Sequence, residues 1–156
     1  MADVSFNLNG RPMSYDGPPT TPLIQVLRES CGDTSVKLAC SRAVCGSCTV
    51  LIDGVPGASC ALFAYHADGA KVLTAAGLSA PHPIAEAFAD HAAFQCGYCT
   101  AGMLMLTKAL LDRDPDPDRE TVVQWISSNI CRCTGYAMIV DAVLDAARRL
   151  RGAADV

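Results

Sequence analysis

The chain has 156 residues, 51% of them apolar, and a formal net charge of −4. That length allows one domain or two small ones with a real core. Its 12 basic residues form no stripe with interleaved aromatics, which excludes ordinary nucleic-acid binding, and no apolar run approaches the roughly 20 residues needed to cross a bilayer.

In chain order, the first half reads as strands and turns. Val4, Phe6 and Leu8 alternate with Ser5, Asn7 and Asn9, the period of a half-buried strand. Asn9-Gly10 signals a hairpin turn, with Arg11 to Tyr15 as the returning strand. Thr21 before Pro22 predicts a helix cap with proline at the first helical position, and the helix ends near Cys31-Gly32. Thr49 to Ile52 is rich in β formers, Asp53-Gly54 is a second hairpin signal, and Lys71 to Thr74 is a last strand. The expectation is a sheet crossed by one helix.

From Ala75 the texture changes. Ala75 to Pro83 reads as a linker, and Ile84 to Ala93 has helical apolar spacing. Thr100 is expected to cap a helix over Ala101 to about Leu111. Asp112 to Asp118, reading DRDPDPD, must be a loop because Pro115 and Pro117 break helices. Helices follow over Arg119 to Ser128 and Ala137 to about Leu150, which completes a small four-helix bundle. Arg148, Arg149 and Arg151 suit the negative end of the last helix dipole.

Nine cysteines need a reason. MADVSFNLNG at the N-terminus has neither the basic nor the apolar region of a signal peptide. The chain therefore reads as soluble and cytoplasmic, where thiols stay reduced and clustered cysteines favour metal over disulfides. Cys40, Cys45 and Cys48 have the spacing C-x4-C-x2-C, and Cys60 follows from the next hairpin. This is the plant-type [2Fe–2S] ferredoxin pattern. Gly46 lets the backbone pass close to such a cluster. The second set, Cys96-Gly97-Tyr98-Cys99 with Cys131-Arg132-Cys133, lies just before two predicted helices, whose positive ends favour thiolates. On its own that set is also compatible with zinc, although zinc ribbons space their two pairs differently. Cys31 is left over as a free or buried thiol.

Three motifs in register extend the reading. SVKLACSRAVCGSCTVLIDG, FQCGYCTAGM and NICRCTGY resemble the three cysteine motifs of the small iron–sulfur subunit of the molybdenum hydroxylases, the xanthine oxidase and carbon monoxide dehydrogenase family. The resemblance runs from about Val4 to Ala147. It implies an α+β chain: a β-grasp plant-type ferredoxin-like domain over residues 1–77, then a four-helix [2Fe–2S]-binding domain over 78–156. It assigns Cys40, Cys45, Cys48 and Cys60 to a distal cluster, and Cys96, Cys99, Cys131 and Cys133 to a proximal one. Gly46 and Gly97 lie within those cofactor-binding loops. Gln95 and Cys133 match residues that contact a molybdopterin held mainly by a separate large subunit; without the resemblance, Gln95 reads equally well as a loop-capping amide. Electrons would pass from that subunit through both clusters to FAD in a medium subunit, or to another acceptor such as a cytochrome.

The family usually has glycine where Ala39 and Ala43 stand and proline where Ala101 stands, so a left-handed Ala43 would carry a strain of roughly 1 kcal/mol. His66, His82 and His91 are isolated and suit surface or cap roles. Met103 and Met105 suit helix packing, Trp125 core or interface, and the aspartates of 112–118 a solvated loop rather than a calcium site. Two other functions stay open on the residues alone: a cluster-bearing redox sensor and a zinc-stabilised interaction module.

Overall fold

The computed structural model describes residues 2–78 and 80–154. Strand β1 (Ala2–Leu8) turns at Asn9-Gly10 into antiparallel β2 (Arg11–Gly17), with Val4 opposite Tyr15 and Phe6 opposite Met13. Strands β3 (Thr49–Ile52) and β4 (Val55–Ala58) form the second hairpin. β5 (Lys71–Leu73) lies between the hairpins, parallel to β1 and antiparallel to β3, giving the order β2-β1-β5-β3-β4. The alternation of β1 turns Val4, Phe6 and Leu8 onto one buried face.

A short helix, α1 (Leu23–Gln25), covers that face and widens into a π-turn over Val26–Ser30. Leu23, Ile24, Val26 and Leu27 are essentially inaccessible and pack with the strand residues and Val36. This is the β-grasp arrangement expected. The Thr21 cap is not formed: Pro22 occupies the cap position, with no side-chain bond, because the Thr21 hydroxyl pairs with the Tyr15 hydroxyl instead.

The second half is helical: α2 (Pro83–Asp90), α3 (Thr100–Arg113), α4 (Arg119–Ile126) and α5 (Ala137–Ala154). Their apolar faces share one core around Phe88, Met103, Leu110, Ile126 and Ile139. His82 caps α2, its Nδ1 accepting from the Ile84 N–H, and Asp118 caps α4 through the Thr121 N–H. Thr100 is no cap. It starts α3, with Cys99 before it, and its hydroxyl oxygen is buried without a partner. The C-terminal arginines do more than face a dipole. Arg148 and Arg149 pair with Asp145, Arg149 also with Asp90 on α2, and Arg151 with Asp116.

The halves are not beads on a string. Leu51 of β3 points away from α1 and meets Met105 and Ala109 of α3, forming a third apolar patch that Leu73, Leu78 and Trp125 close. The Trp125 Nε1–H donates to the Leu106 carbonyl and fixes that ring. On the neighbouring edge, Asn9 exchanges hydrogen bonds with Thr74, whose hydroxyl donates to Asp33, so the linker is pinned beside the chain leading to Cys40.

Met105 is fully buried in the patch between the halves. Met105→Ala should cost about 2–5 kcal/mol, read as a lower denaturant midpoint for the sheet and helical signals together. Separate transitions with only the helical one shifted would contradict a shared interface.

Candidate metal centres

The loop from Ser41 to Gly46 owes its shape to left-handed residues at intervals: Ser41 (φ 57°), Ala43 (φ 56°) and Gly46 (φ 71°). Alternating handedness turns successive N–H groups to the same side, a backbone nest for anions. The nest faces sulfur. The Val44 and Cys45 amides lie 3.4 Å from the Cys40 sulfur, and the Ala43 amide lies 3.3 Å from that of Cys60. Amide hydrogen bonds, the one from Arg42 foremost and then those from Cys45 and Val44, hold the Cys40 thiol down to about 6. Ala43 is thus left-handed, and in that conformation its N–H reaches the Cys60 sulfur.

Cys48 lies deeper, where burial pushes its thiol up to about 11. Its side chain contacts Cys60, as that of Cys40 contacts Cys45. Cys40 and Cys45, and Cys48 and Cys60, are thus close neighbours around the one loop.

The second set repeats this logic with other parts. Gly97 (φ 79°) turns the chain between Cys96 and Cys99, and Gly135 (φ 70°) and Tyr136 (φ 70°) turn it after Cys133. Cys96 and Cys133 approach to 3.7 Å between sulfurs and are exposed; Cys99 and Cys131 are buried and in contact. Burial, with Cys131 beside it, pushes Cys99 up to about 12. For Cys131 burial is again the largest effect and raises the value. Hydrogen bonds from the Thr134 hydroxyl (3.1 Å), the Thr134 amide and the Cys133 amide outweigh it, so this thiol lies below the ordinary range.

Pairs of sulfurs suit a binuclear core, in which each metal takes two thiolates, better than a single ion. The buried thiols Cys48 and Cys99 would give up their protons only to a bound cation.

All eight predicted ligand cysteines fall into these two groups. Cys31 stands apart, half-buried against the sheet core and raised by burial, with Asp33 adding to the effect. Gln95 is exposed, and its amide donates to the Cys133 carbonyl at 3.2 Å, tying together the two loops of the second set. His66 and His82 serve as local acceptors, and His91 lies 3.3 Å from Asp145; none faces the cysteines.

Sequence reasoning missed four supporting residues. Thr134 serves Cys131. The Tyr136 hydroxyl accepts from the Cys131 N–H at 2.8 Å and donates to the Asn129 carbonyl. Tyr98 donates to the Leu38 carbonyl at 2.6 Å, linking one cysteine loop to the other. Asn129 reaches the Gly46 carbonyl. Their place inside the cysteine motifs was a signal, but their partners lie far away in the chain.

Comparison with known proteins agrees with this geometry. Residues 6–75 match the model of a 2Fe-2S iron-sulfur cluster binding domain, and residues 74–144 match that of a [2Fe-2S] binding domain. The chain is 45% identical to the nicotine 6-hydroxylase small subunit of Paenarthrobacter nicotinovorans, over 92% of this chain and 87% of that one. It superposes with a TM-score of 0.92 and 41% identity on a chain of quinoline 2-oxidoreductase from Pseudomonas putida 86, covering 97% of this chain and 96% of the other. Aldehyde oxidoreductase from Desulfovibrio desulfuricans gives a TM-score of 0.93 and 42% identity, with 97% of this chain matched to 17% of that longer one.

Thr134→Val removes the hydroxyl donor to the Cys131 sulfur. Donors to a ligand sulfur favour the reduced, more negative state. The midpoint potential of the centre carrying Cys131 should therefore move negative in an EPR-monitored redox titration, while the other stays fixed. An unmoved midpoint would contradict a tuning role for Thr134.

Proposed function

This chain belongs to the small [2Fe–2S] subunits of the molybdenum hydroxylase family, and from that membership we propose that its two groups of four cysteines hold one [2Fe–2S] cluster each. The chain is the electron-transfer subunit of a molybdopterin-containing hydroxylase or dehydrogenase complex and carries out no bond chemistry itself. The observation that carries the ligand assignment is the gathering of four cysteines at each of two loops, with N–H donors turned onto their sulfurs. Each cluster would supply storage for one electron.

What the chain's own residues do follows from their placement. Cys40, Cys45, Cys48 and Cys60 are the distal ligands, and the exposed run from Ser41 to Val44 is the side on which an acceptor can approach. A FAD-bearing medium subunit is the first such acceptor, and a cytochrome the second. Cys96, Cys99, Cys131 and Cys133 are the proximal ligands. Cys96, Cys133 and Gln95 are exposed, and the same two loops present Phe94, Tyr98 and Ile130 with 43 to 50% of their surface open. Large apolar side chains on loops bearing a charged centre suit a face that a partner covers. This face is the docking surface for the large molybdopterin-binding subunit, with the free oxygen of the Gln95 amide and the backbone of Cys133 turned toward the pterin. Gly46 and Gly97 give the backbone its close approach to each cluster. No described helix is long and apolar enough to cross a membrane, and reduced thiols in such number suit the cytoplasm.

Iron and sulfide analysis with low-temperature EPR of the reduced complex tests the assignment. About four iron and four sulfide per chain and two distinct rhombic signals are expected; stoichiometric zinc without a signal would overturn it. Gln95→Ala should leave both signals in place but slow reduction of the clusters by the large subunit, or loosen the pterin. Unchanged cofactor content and an unchanged rate in rapid mixing would remove Gln95 from the contact.

A further inference from the structure

The two cysteine groups meet through the backbone. The Cys45 carbonyl accepts the Ile130 N–H at 2.9 Å, and Ile130 is the residue before Cys131. One residue on, the Gly46 carbonyl accepts from the Thr49 amide (3.0 Å), the Thr49 hydroxyl (2.7 Å) and the Asn129 side-chain amide (3.3 Å). Asn129 is completely buried, and its Oδ1 has no protein partner. A buried amide that uses only part of its bonding capacity is costly, and an apolar side chain would fill the space without that cost. What Asn129 provides is the hold on Gly46.

The fit is exclusive. A Cβ on Gly46 would come within 2.9 Å of the Asn129 side chain and the Ser128 carbonyl, and a Cβ on Gly102 would collide with the Gly46 carbonyl. Glycine at both positions lets the loops meet backbone to backbone.

Resting on the ligand assignment above, we infer that Asn129 is a positioning residue for inter-cluster electron transfer, clamping Gly46 so that Cys45, Ile130 and Cys131 form the coupling path between the clusters. The path runs from the Cys131 sulfur through one peptide unit to the Ile130 N–H, across one hydrogen bond to the Cys45 carbonyl, and through that residue to its sulfur. A single electron moves from the proximal to the distal centre; no bond breaks and no proton shifts. The other link, Tyr98 to Leu38, is a longer route. It crosses a whole phenol side chain and reaches Cys40 only after Ala39. Although Ile130 is half exposed, its bond to Cys45 is flanked by the buried residues Gly46, Asn129 and Cys131.

Two variants disturb the clamp from opposite sides in the assembled complex. Asn129→Asp replaces the donor to Gly46 with an acceptor, and Gly102→Ala wedges a methyl against the same carbonyl. Leu51→Ala loosens the apolar patch between the halves without touching the path. Flash photoreduction reads the rate at which the electron equilibrates between clusters, and EPR of the fully reduced protein reads their spin–spin splitting. Both clamp variants should equilibrate several-fold more slowly and show altered splitting, with iron content kept, whereas Leu51→Ala lowers only the unfolding midpoint. Wild-type rate and splitting in both clamp variants would overturn the inference, as would an equal slowing in Leu51→Ala. If neither clamp variant loads both clusters, hydrogen exchange in the wild type decides: the Ile130 amide must be among the slowest in the cysteine loops, and fast exchange overturns the clamp. Failure to find two signals in the wild type would instead contradict the ligand assignment.

Discussion

Residue 46 has no room for a side chain, and both halves of the chain are fitted to that fact. The sheet half needs a left-handed residue there to bend three cysteines around one centre. The helical half needs the same residue to have no side chain, because Asn129 and the Ser128 carbonyl close over it. One glycine therefore sets the loop shape and the distance between loops together. The apolar contact of Leu51 with Met105 and Ala109 supplies adhesion, but the backbone contact supplies register.

The second demand is electrostatic. A reduced cluster with four thiolates carries about −3 by formal counting, and the chain offers no cationic side chain hydrogen-bonded to a cysteine sulfur among the described residues. Compensation comes from amides: those of Ala43, Val44 and Cys45 in one loop, and that of Thr134, with its hydroxyl, in the other. Fixed backbone dipoles need no side-chain ordering when an electron arrives. They also oblige Ala43 to sit where glycine would be easier, so the strain at Ala43 and the hydrogen bond to Cys60 are two sides of one choice.

Much of this was legible in the sequence, and for physical reasons. Asn9-Gly10 and Asp53-Gly54 fix hairpins through local backbone preference, and cysteine spacing fixes which sulfurs one loop can gather. The residues that join the groups were not legible, because their partners are remote. Asn129 and Gly46 are 83 positions apart, and Tyr98 and Leu38 are 60 apart. Thr21 and Thr100 were misread for a related reason. Both have the local chemistry of a helix cap, but tertiary packing directs the first hydroxyl to Tyr15 and buries the second without a partner. The fold of each half could be read from local pattern; the contact that makes them one relay could not.

The family relationship and the gathering of the cysteines support one proposal about the metal: eight cysteines of one chain hold two separate binuclear iron centres. Mössbauer spectroscopy of the complex enriched in 57Fe sees only iron and is blind to molybdenum and flavin. The account predicts that all the oxidised iron is ferric and spin-coupled to a diamagnetic ground state, and that full reduction turns one iron of each pair ferrous. Isolated paramagnetic iron, or the delocalised mixed-valence signature of a cubane cluster, would contradict it.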